Sequence, residues 1–394
     1  MMRILYVAMK FDYGRSEQGL SFEHCNFYHS LAHMGHDIIY FDFMTLLQEH
    51  GREWMNRRLS EVARLEKPDL IFTILFSDQL DAHVIRELTE QDGVTTLNWF
   101  CDDHWRFDNY SRAWAPCFNW VVTTAASAIS KYAQLGYRNV IKSQWACNDA
   151  LYRKMELPLM YDVSFVGQPH GNRRSVVQRL RQAGVNVHVW GSGWDSGRLS
   201  PDELIRVFNQ SRINLNLTNA SMPVPSSSVK TGSKGQGLVA RALDCVPFGG
   251  QVKAMGKAYL SSMRGRGVDP MASECSDAAG ADYADQIKGR NFEVPGCGGF
   301  LLTGRADNLD EYYEIGKEVV CFDDVDDMID KVRYYLKHED ERSTIAQAGY
   351  ERTLRDHTYE RRFDEIFHRM GMPVGCVRNG TGQQMPPGRT EEVR

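Results

Sequence analysis

Asp162-Val-Ser-Phe-Val-Gly167 decides the fold, because here a rhythm already complete upstream begins a second time. A short apolar run closed by glycine suits a strand buried on both faces of a parallel sheet. The first such run is Arg3-Ile-Leu-Tyr-Val-Ala-Met9. A polar loop with Gly14 and Gly19 follows it, then a helical pattern from Ser21 to Met34, then the strand Asp37-Ile-Ile-Tyr-Phe41. The strand–helix alternation continues through Asp69–Leu75, Thr95–Phe100, Trp120–Thr124 and Val140–Ser143. Downstream of Gly167 come a helix from Arg173 to Ala183, the strand Val187–Trp190, a helix capped by Ser200 with Pro201 in its first turn, and the strand Arg212–Leu217. Two runs of alternating strands and helices predict an α/β protein with two Rossmann-like domains, each an open parallel sheet covered by helices.

The boundaries follow from the same reading. Residues 1–157 are expected to form the first domain, completed by a C-terminal helix near 358–370. The second is expected over 158–357, interrupted by a Gly-, Ser- and Lys-rich insertion at 219–283. The Gly/Pro-rich tail 374–394 reads as disordered. Two domains suit 394 residues, of which 42% are hydrophobic and 25% charged. A net charge of −5 argues against sequence-independent nucleic-acid binding, which needs a basic surplus. Nine scattered cysteines, with no CxxC pair, and the lack of a signal peptide suggest a reducing cytoplasm. No apolar run is long enough to span a bilayer, so no integral membrane association is expected. His29 and His33 share a helix face, but without an HExxH pattern they carry no metal reading.

The block Gln286-Ile-Lys-Gly-Arg290-Asn-Phe-Glu293-Val-Pro-Gly296-Cys-Gly298-Gly299 is the strongest site candidate. Arg290 suits a charge-assisted fork to phosphate, Glu293 can accept from ribose hydroxyls, and Gly296, Gly298 and Gly299 would let backbone N–H groups approach an anion. The bland alternative is a capped helix before a glycine turn. A second candidate is the loop from Gly167 through His170 and Gly171 to Arg173 and Arg174, where either arginine could meet a diphosphate. Gly193 and Trp194, after the next strand, could line a base pocket, and Thr218 and Asn219 lie at the same edge of the sheet. On the first domain, Asp102, Asp103 and His104 could recognise an acceptor or act as a general base. The basic residues of the insertion (Lys230, Lys234, Lys253, Lys257, Arg264 and Arg266) suggest a lid or a clamp for an anion.

From about Asp162 to Phe367 the chain resembles the CgeB-like branch of the group 1 glycosyltransferases. The 286–303 block carries the likeness, supported by Tyr313–Asp324 and by His338–Arg361 with His357-Thr-Tyr359. The resemblance implies the GT-B arrangement, two Rossmann-like domains facing each other across a cleft. It implies a UDP-, GDP- or dTDP-sugar as donor substrate, with no permanently bound cofactor and no metal. The Arg290/Glu293 block then points to retention of anomeric configuration. The acceptor stays open: a glycan, a small molecule, a protein or modified nucleic acid. Two rivals share the layout, a nucleotide-sugar 2-epimerase and a non-catalytic saccharide- or nucleotide-binding module.

Overall fold

The computed structural model describes residues 1–218, 285–373 and 390–393. Six strands of the first domain run β1 (Arg3–Val7), β2 (Asp37–Phe41), β3 (Leu70–Thr73), β4 (Thr95–Phe100), β5 (Trp120–Thr123) and β6 (Val140–Lys142). The second domain supplies β7 (Tyr161–Val166), β8 (Val187–Trp190), β9 (Ser211–Asn216), β10 (Leu301–Gly304) and β11 (Val320–Phe322). A last strand, β12 (Thr390–Glu392), returns to the first sheet. The sheet orders are β12-β2-β1-β3-β4-β5-β6 and β11-β10-β9-β7-β8, and every strand pair in them is parallel.

This order fixes where a ligand can sit. In the first sheet the chain steps from β1 outward to β2, then back across to β3. In the second it steps from β7 to β8, then back to β9. Each reversal leaves a crevice between the loops that follow two neighbouring strands, at their carboxyl ends. The loops after β1 and β3 therefore build one wall of a site, and those after β7 and β9 the other.

The central strands are buried on both faces, which is why they read as unbroken apolar runs. Leu5, Val7 and Ile71 point to one core of the first domain, and Ile4, Tyr6 and Phe72 to the other. Into that second core the helix Tyr359–Arg369 inserts Tyr359, Phe363, Ile366 and Phe367. The chain thus crosses between domains twice, and the crossings bond to each other. The Cys147 N–H donates to the His357 carbonyl at 2.9 Å, and the Tyr359 N–H donates to the Cys147 carbonyl at 3.0 Å.

Ser200 caps the helix Pro201–Gln210 in a full capping box with Glu203. The helix Phe43–His50 has no counterpart in the sequence reading, since it starts only two residues after β2 ends. The insertion expected at 219–283 lies outside the described residues, as does most of the tail. Thr390–Glu392 differs from the expected disorder: it pairs with Ile38–Tyr40 and covers the open edge of β2, while Glu392 meets Lys10.

Gly349, inside the helix Glu339–Asp356, lies so close to β11's approach that an added Cβ would overlap the Glu318 carbonyl oxygen. That oxygen is backbone and cannot swing away. Gly349→Val is expected to destabilise the fold by about 1–3 kcal/mol or more, read as a lowered urea midpoint. An unchanged midpoint would mean the helix has room to shift.

Candidate functional site

The second domain's wall is built around Arg173. Its side chain is 3% exposed and straddles the crevice between β7 and β9. Nη1 donates to the Gln168 carbonyl at 2.9 Å and Nη2 to the Leu217 carbonyl at 2.8 Å, so one guanidinium ties the two loop ends together. Burial, followed by the charge of Arg290, lowers its pKa to about 9. Arg290 opens the short helix Arg290–Gly296; its Nε is buried and has no hydrogen-bond partner among the described residues. Lys288 lies between these two charges and Asp102 of the other domain. Burial is the main cause that brings its pKa to about 7; Asp102 pulls it up, and Arg173 and Arg290 push it down. Neither Lys288 nor Arg290 forms an ion pair among the described residues. His170 completes the group, lowered to about 4 by burial and by Arg173, Lys288 and Arg290.

Arg173, Lys288 and Arg290 gathered in one wall cost free energy in an empty cleft, because each opposes the charging of the next; Asp285, and for Lys288 also Asp102, offset only part of that. An anion with two adjacent charged groups would reverse the sign of every one of those interactions. The wall therefore carries a surplus of positive charge that an anion would offset.

The first domain's wall holds a cavity of about 270 Å³ at the carboxyl ends of β1, β3 and β4. Asp12, Glu23, Asp102 and Arg106 supply its charges, and Tyr13, Phe22, Phe76 and Tyr110 its rings. Arg106 lies 4.0 Å above the Tyr110 ring, and Asp12 forms an ion pair with Arg198 of the second domain. Burial, then the nearby Lys288, lowers the His104 imidazole to about 4, while the Gln286 side chain bonds it from across the cleft. A larger depression of about 520 Å³ lies by Arg64, Lys67 and Asp92, at the opposite ends of β3 and β4. Open parallel sheets do not bind ligands at that end.

Several residues expected in the site are enclosed or engaged in packing. Glu293 is 3% exposed; Tyr152 bonds its carboxyl, and burial raises its pKa. Its Oε1 lies beside Gly289 and Phe22, where a Cβ added to Gly289 would come within 2.9 Å of it. Gly296, Gly298 and Gly299 are at the far end of the Arg290 helix, about 9 Å away at 1.5 Å per residue. Gly296 packs on Cys147, Gly298 on Lys154 and Gly299 on Asn214, which makes them packing glycines and not an anion cradle. Asp103 is 2% exposed and accepts from the Tyr132 hydroxyl at 2.8 Å, too enclosed to reach an acceptor. The Trp194 indole N–H donates to the Gly167 carbonyl at 2.7 Å, and Arg174 stacks on the Trp194 ring and bonds the Gly193 carbonyl. That set braces the loops after β7 and β8. Gly171 is exposed, in a left-handed turn. Asn219 lies outside the described residues, and Thr218 donates to the Arg305 carbonyl at 3.0 Å.

Residues 173–234 and 268–368 match a family model described as glycosyl transferase-like. The spore protein CgeB of Bacillus subtilis (strain 168) is 22% identical over 242 residues, 61% of this chain and 64% of that protein. On both counts the chain is similar to the CgeB-like branch of the group 1 glycosyltransferases. It spans just under two thirds of that relative's length. Among solved structures, Anabaena HepE in complex with UDP-glucose superposes with a TM-score of 0.56 at 10% identity, covering 94% of this chain and 100% of HepE. Sucrose-phosphate synthase from Thermosynechococcus elongatus gives 0.56 at 9% identity, covering 94% and 98%. These likenesses establish the GT-B fold.

Within this family frame, two site residues were passed over in the sequence. Lys288 was quoted in the block but given no role, since a lysine beside a helix start carries no signal until its neighbours are known. Glu23 has no pattern in the sequence that marks it; only the fold brings it to the cavity lining. Among the described residues no three His, Cys, Asp or Glu side chains group to hold a metal, and no helix is long and apolar enough to cross a membrane.

Proposed function

We propose that the protein transfers a sugar from a nucleotide-sugar donor to an acceptor lodged in the first domain's cavity. The observation that supports it is the meeting of Lys288, Arg290 and Arg173 at the cleft, facing the cavity across the domain boundary. The diphosphate lies against those cations, with His170 beside it. As the bond from the anomeric carbon to the β-phosphate oxygen breaks, charge grows on the leaving diphosphate, and fixed cations stabilise that charge more than they stabilise the bound donor. Approach of the domains, held by the Arg198–Asp12 pair, excludes water from the reacting bond.

UDP-glucose is the first donor to try, given what HepE binds. Retention of configuration rested on Arg290 and Glu293 both facing the sugar. Glu293 is buried beside Gly289, next to the start of the Arg290 helix.

A thermal-shift screen against UDP, GDP, dTDP and their sugars tests the reading. A ligand at 100 times its Kd adds about 2.7 kcal/mol. Arg290→Ala is expected to abolish most of the shift, a loss of about 1.5–3 kcal/mol in binding, with no loss of intrinsic stability. No shift with any nucleotide would reject the proposal.

A further inference from the structure

We propose that the acceptor is an uncharged pyranoside whose sugar ring stacks on Tyr13 and Phe76 at the mouth of the first domain's cavity. The inference rests on the glycosyl-transfer reading above and names the class of acceptor that the same cavity takes.

Two aromatic rings stand in the open there. Tyr13 is 48% exposed and Phe76 37%, and both line the 270 Å³ cavity. They meet edge to face with centroids 5.7 Å apart. Large apolar side chains exposed side by side at a concave rim mark a binding surface. The loops that carry them are pinned. Phe11 bridges Leu20 across the base of the Tyr13 loop, and the Gln48 side chain donates to the Gly14 carbonyl at 3.0 Å. The Tyr13 side chain bonds that of Gln168 in the second domain. Beside Phe76, the Ser77 carbonyl accepts from the Tyr110 hydroxyl at 2.7 Å. A pyranose has an apolar face of C–H groups and a rim of hydroxyls. The face suits an aromatic ring, and two rigid partners lose little freedom when they stack.

The charges of the cavity select against an anion. Three carboxyl groups, Asp12, Glu23 and Asp102, line it against a single cation among the described residues, Arg106. Asp12 is paired with Arg198, and Arg106 lies over the Tyr110 ring. A phosphate brought in here meets Asp102 and Glu23, and that repulsion discriminates between acceptors. Hydroxyls meet no such penalty, because an ionised carboxyl accepts from them and a protonated one donates to them. Burial is the main cause that raises Glu23 to about 7, so both forms are present near neutrality. Phosphorylated sugars and nucleic acids are therefore disfavoured, and a peptide hydroxyl brings no ring face to stack.

The test is saturation-transfer NMR on the full chain with UDP bound. Methyl glycosides of glucose, galactose, mannose and N-acetylglucosamine are set against their phosphates, a serine- and threonine-containing peptide and a thymidine oligonucleotide. At least one methyl glycoside should receive saturation, strongest at the C–H protons of one ring face, and its phosphate should bind about tenfold more weakly or worse. Phe76→Ala is expected to weaken that glycoside by about tenfold and Phe76→Tyr to retain it, both with the UDP thermal shift unchanged. Should Phe76→Ala disturb folding, Tyr13→Leu reads the same loss. The proposal is overturned if no glycoside receives saturation from a protein that UDP stabilises. It is overturned equally if a phosphate, the peptide or the oligonucleotide binds better than every glycoside, or if glycoside binding survives in both Phe76→Ala and Tyr13→Leu. Failure of the parent reading looks different: wild type then shows no thermal shift with UDP or UDP-glucose.

Discussion

Raising the pH from 6.5 to 8.5 is expected to weaken binding of UDP-glucose by about 25-fold, through Lys288 alone. In the empty cleft the ammonium is disfavoured by burial and by two guanidinium neighbours, so half of it is lost by pH about 7. A diphosphate beside it restores the ordinary preference for the charged form, and binding takes up a proton. The sign follows from that. Below pH 7 the cation is present beforehand and affinity is flat. Above it, each unit of pH costs close to a factor of ten until the pKa of the bound state is reached. Titration calorimetry in buffers of different ionisation enthalpy should show close to one proton taken up per donor at pH 8. UDP-glucose is the right probe, because its diphosphate, unlike that of UDP, has no ionisation near neutrality. His170, at about 4, would add its uptake only on the acid side, and Arg173, at about 9, is still charged through pH 8. Lys288→Arg keeps its charge and should bind with less than a twofold change across the range. Lys288→Met should bind weakly at every pH. A wild-type affinity that ignores pH would remove Lys288 from the donor site.

Lys288 also marks how far the sequence can be read. The two parallel sheets and the family resemblance were legible, because buried strands write themselves as apolar runs and the 286–303 block is specific. Arg290 stands out as a candidate in that block. Glu293 and the glycines are harder to place, because a helix start followed by proline and three glycines does not say which way each side chain and each glycine faces. The helix Arg290–Gly296, with Pro295 inside it, buries Glu293 and carries the glycines to the end away from Arg290. Asp102, Asp103 and His104 are adjacent in sequence, yet a helix begins among them and separates them: Asp103 turns inward to Tyr132, while the other two face the second domain. Charge clusters assembled from distant segments leave no local pattern at all. Glu23 and Lys288 lie more than 260 positions apart, and only the packing of Phe22 on Gly289 brings their walls together.

Arg173→Ala should cost about 3–5 kcal/mol of stability, the largest effect of any single change at the site, and should also remove donor binding. The guanidinium does two jobs with one group of atoms. Its two terminal nitrogens satisfy the Gln168 and Leu217 carbonyls at the ends of β7 and β9, and its plane lies 5.6 Å from the Phe165 ring. Truncation leaves both carbonyls without that donor in a region water reaches poorly, and opens the space beside Phe165. Arg173→Lys keeps a charge but has no planar fork, so it should recover one carbonyl and about half the loss. Urea unfolding gives the order wild type, then Lys, then Ala. The comparison with Arg290→Ala separates support from binding. Both changes delete a cation from the same wall, and Arg290 opposes the charging of Arg173. Removing Arg290 therefore relieves repulsion, and the empty protein should unfold at an unchanged or slightly higher urea concentration while its nucleotide shift disappears. If Arg173→Ala instead leaves stability intact and abolishes binding alone, the guanidinium is a ligand contact and the crevice between β7 and β9 holds itself together without it.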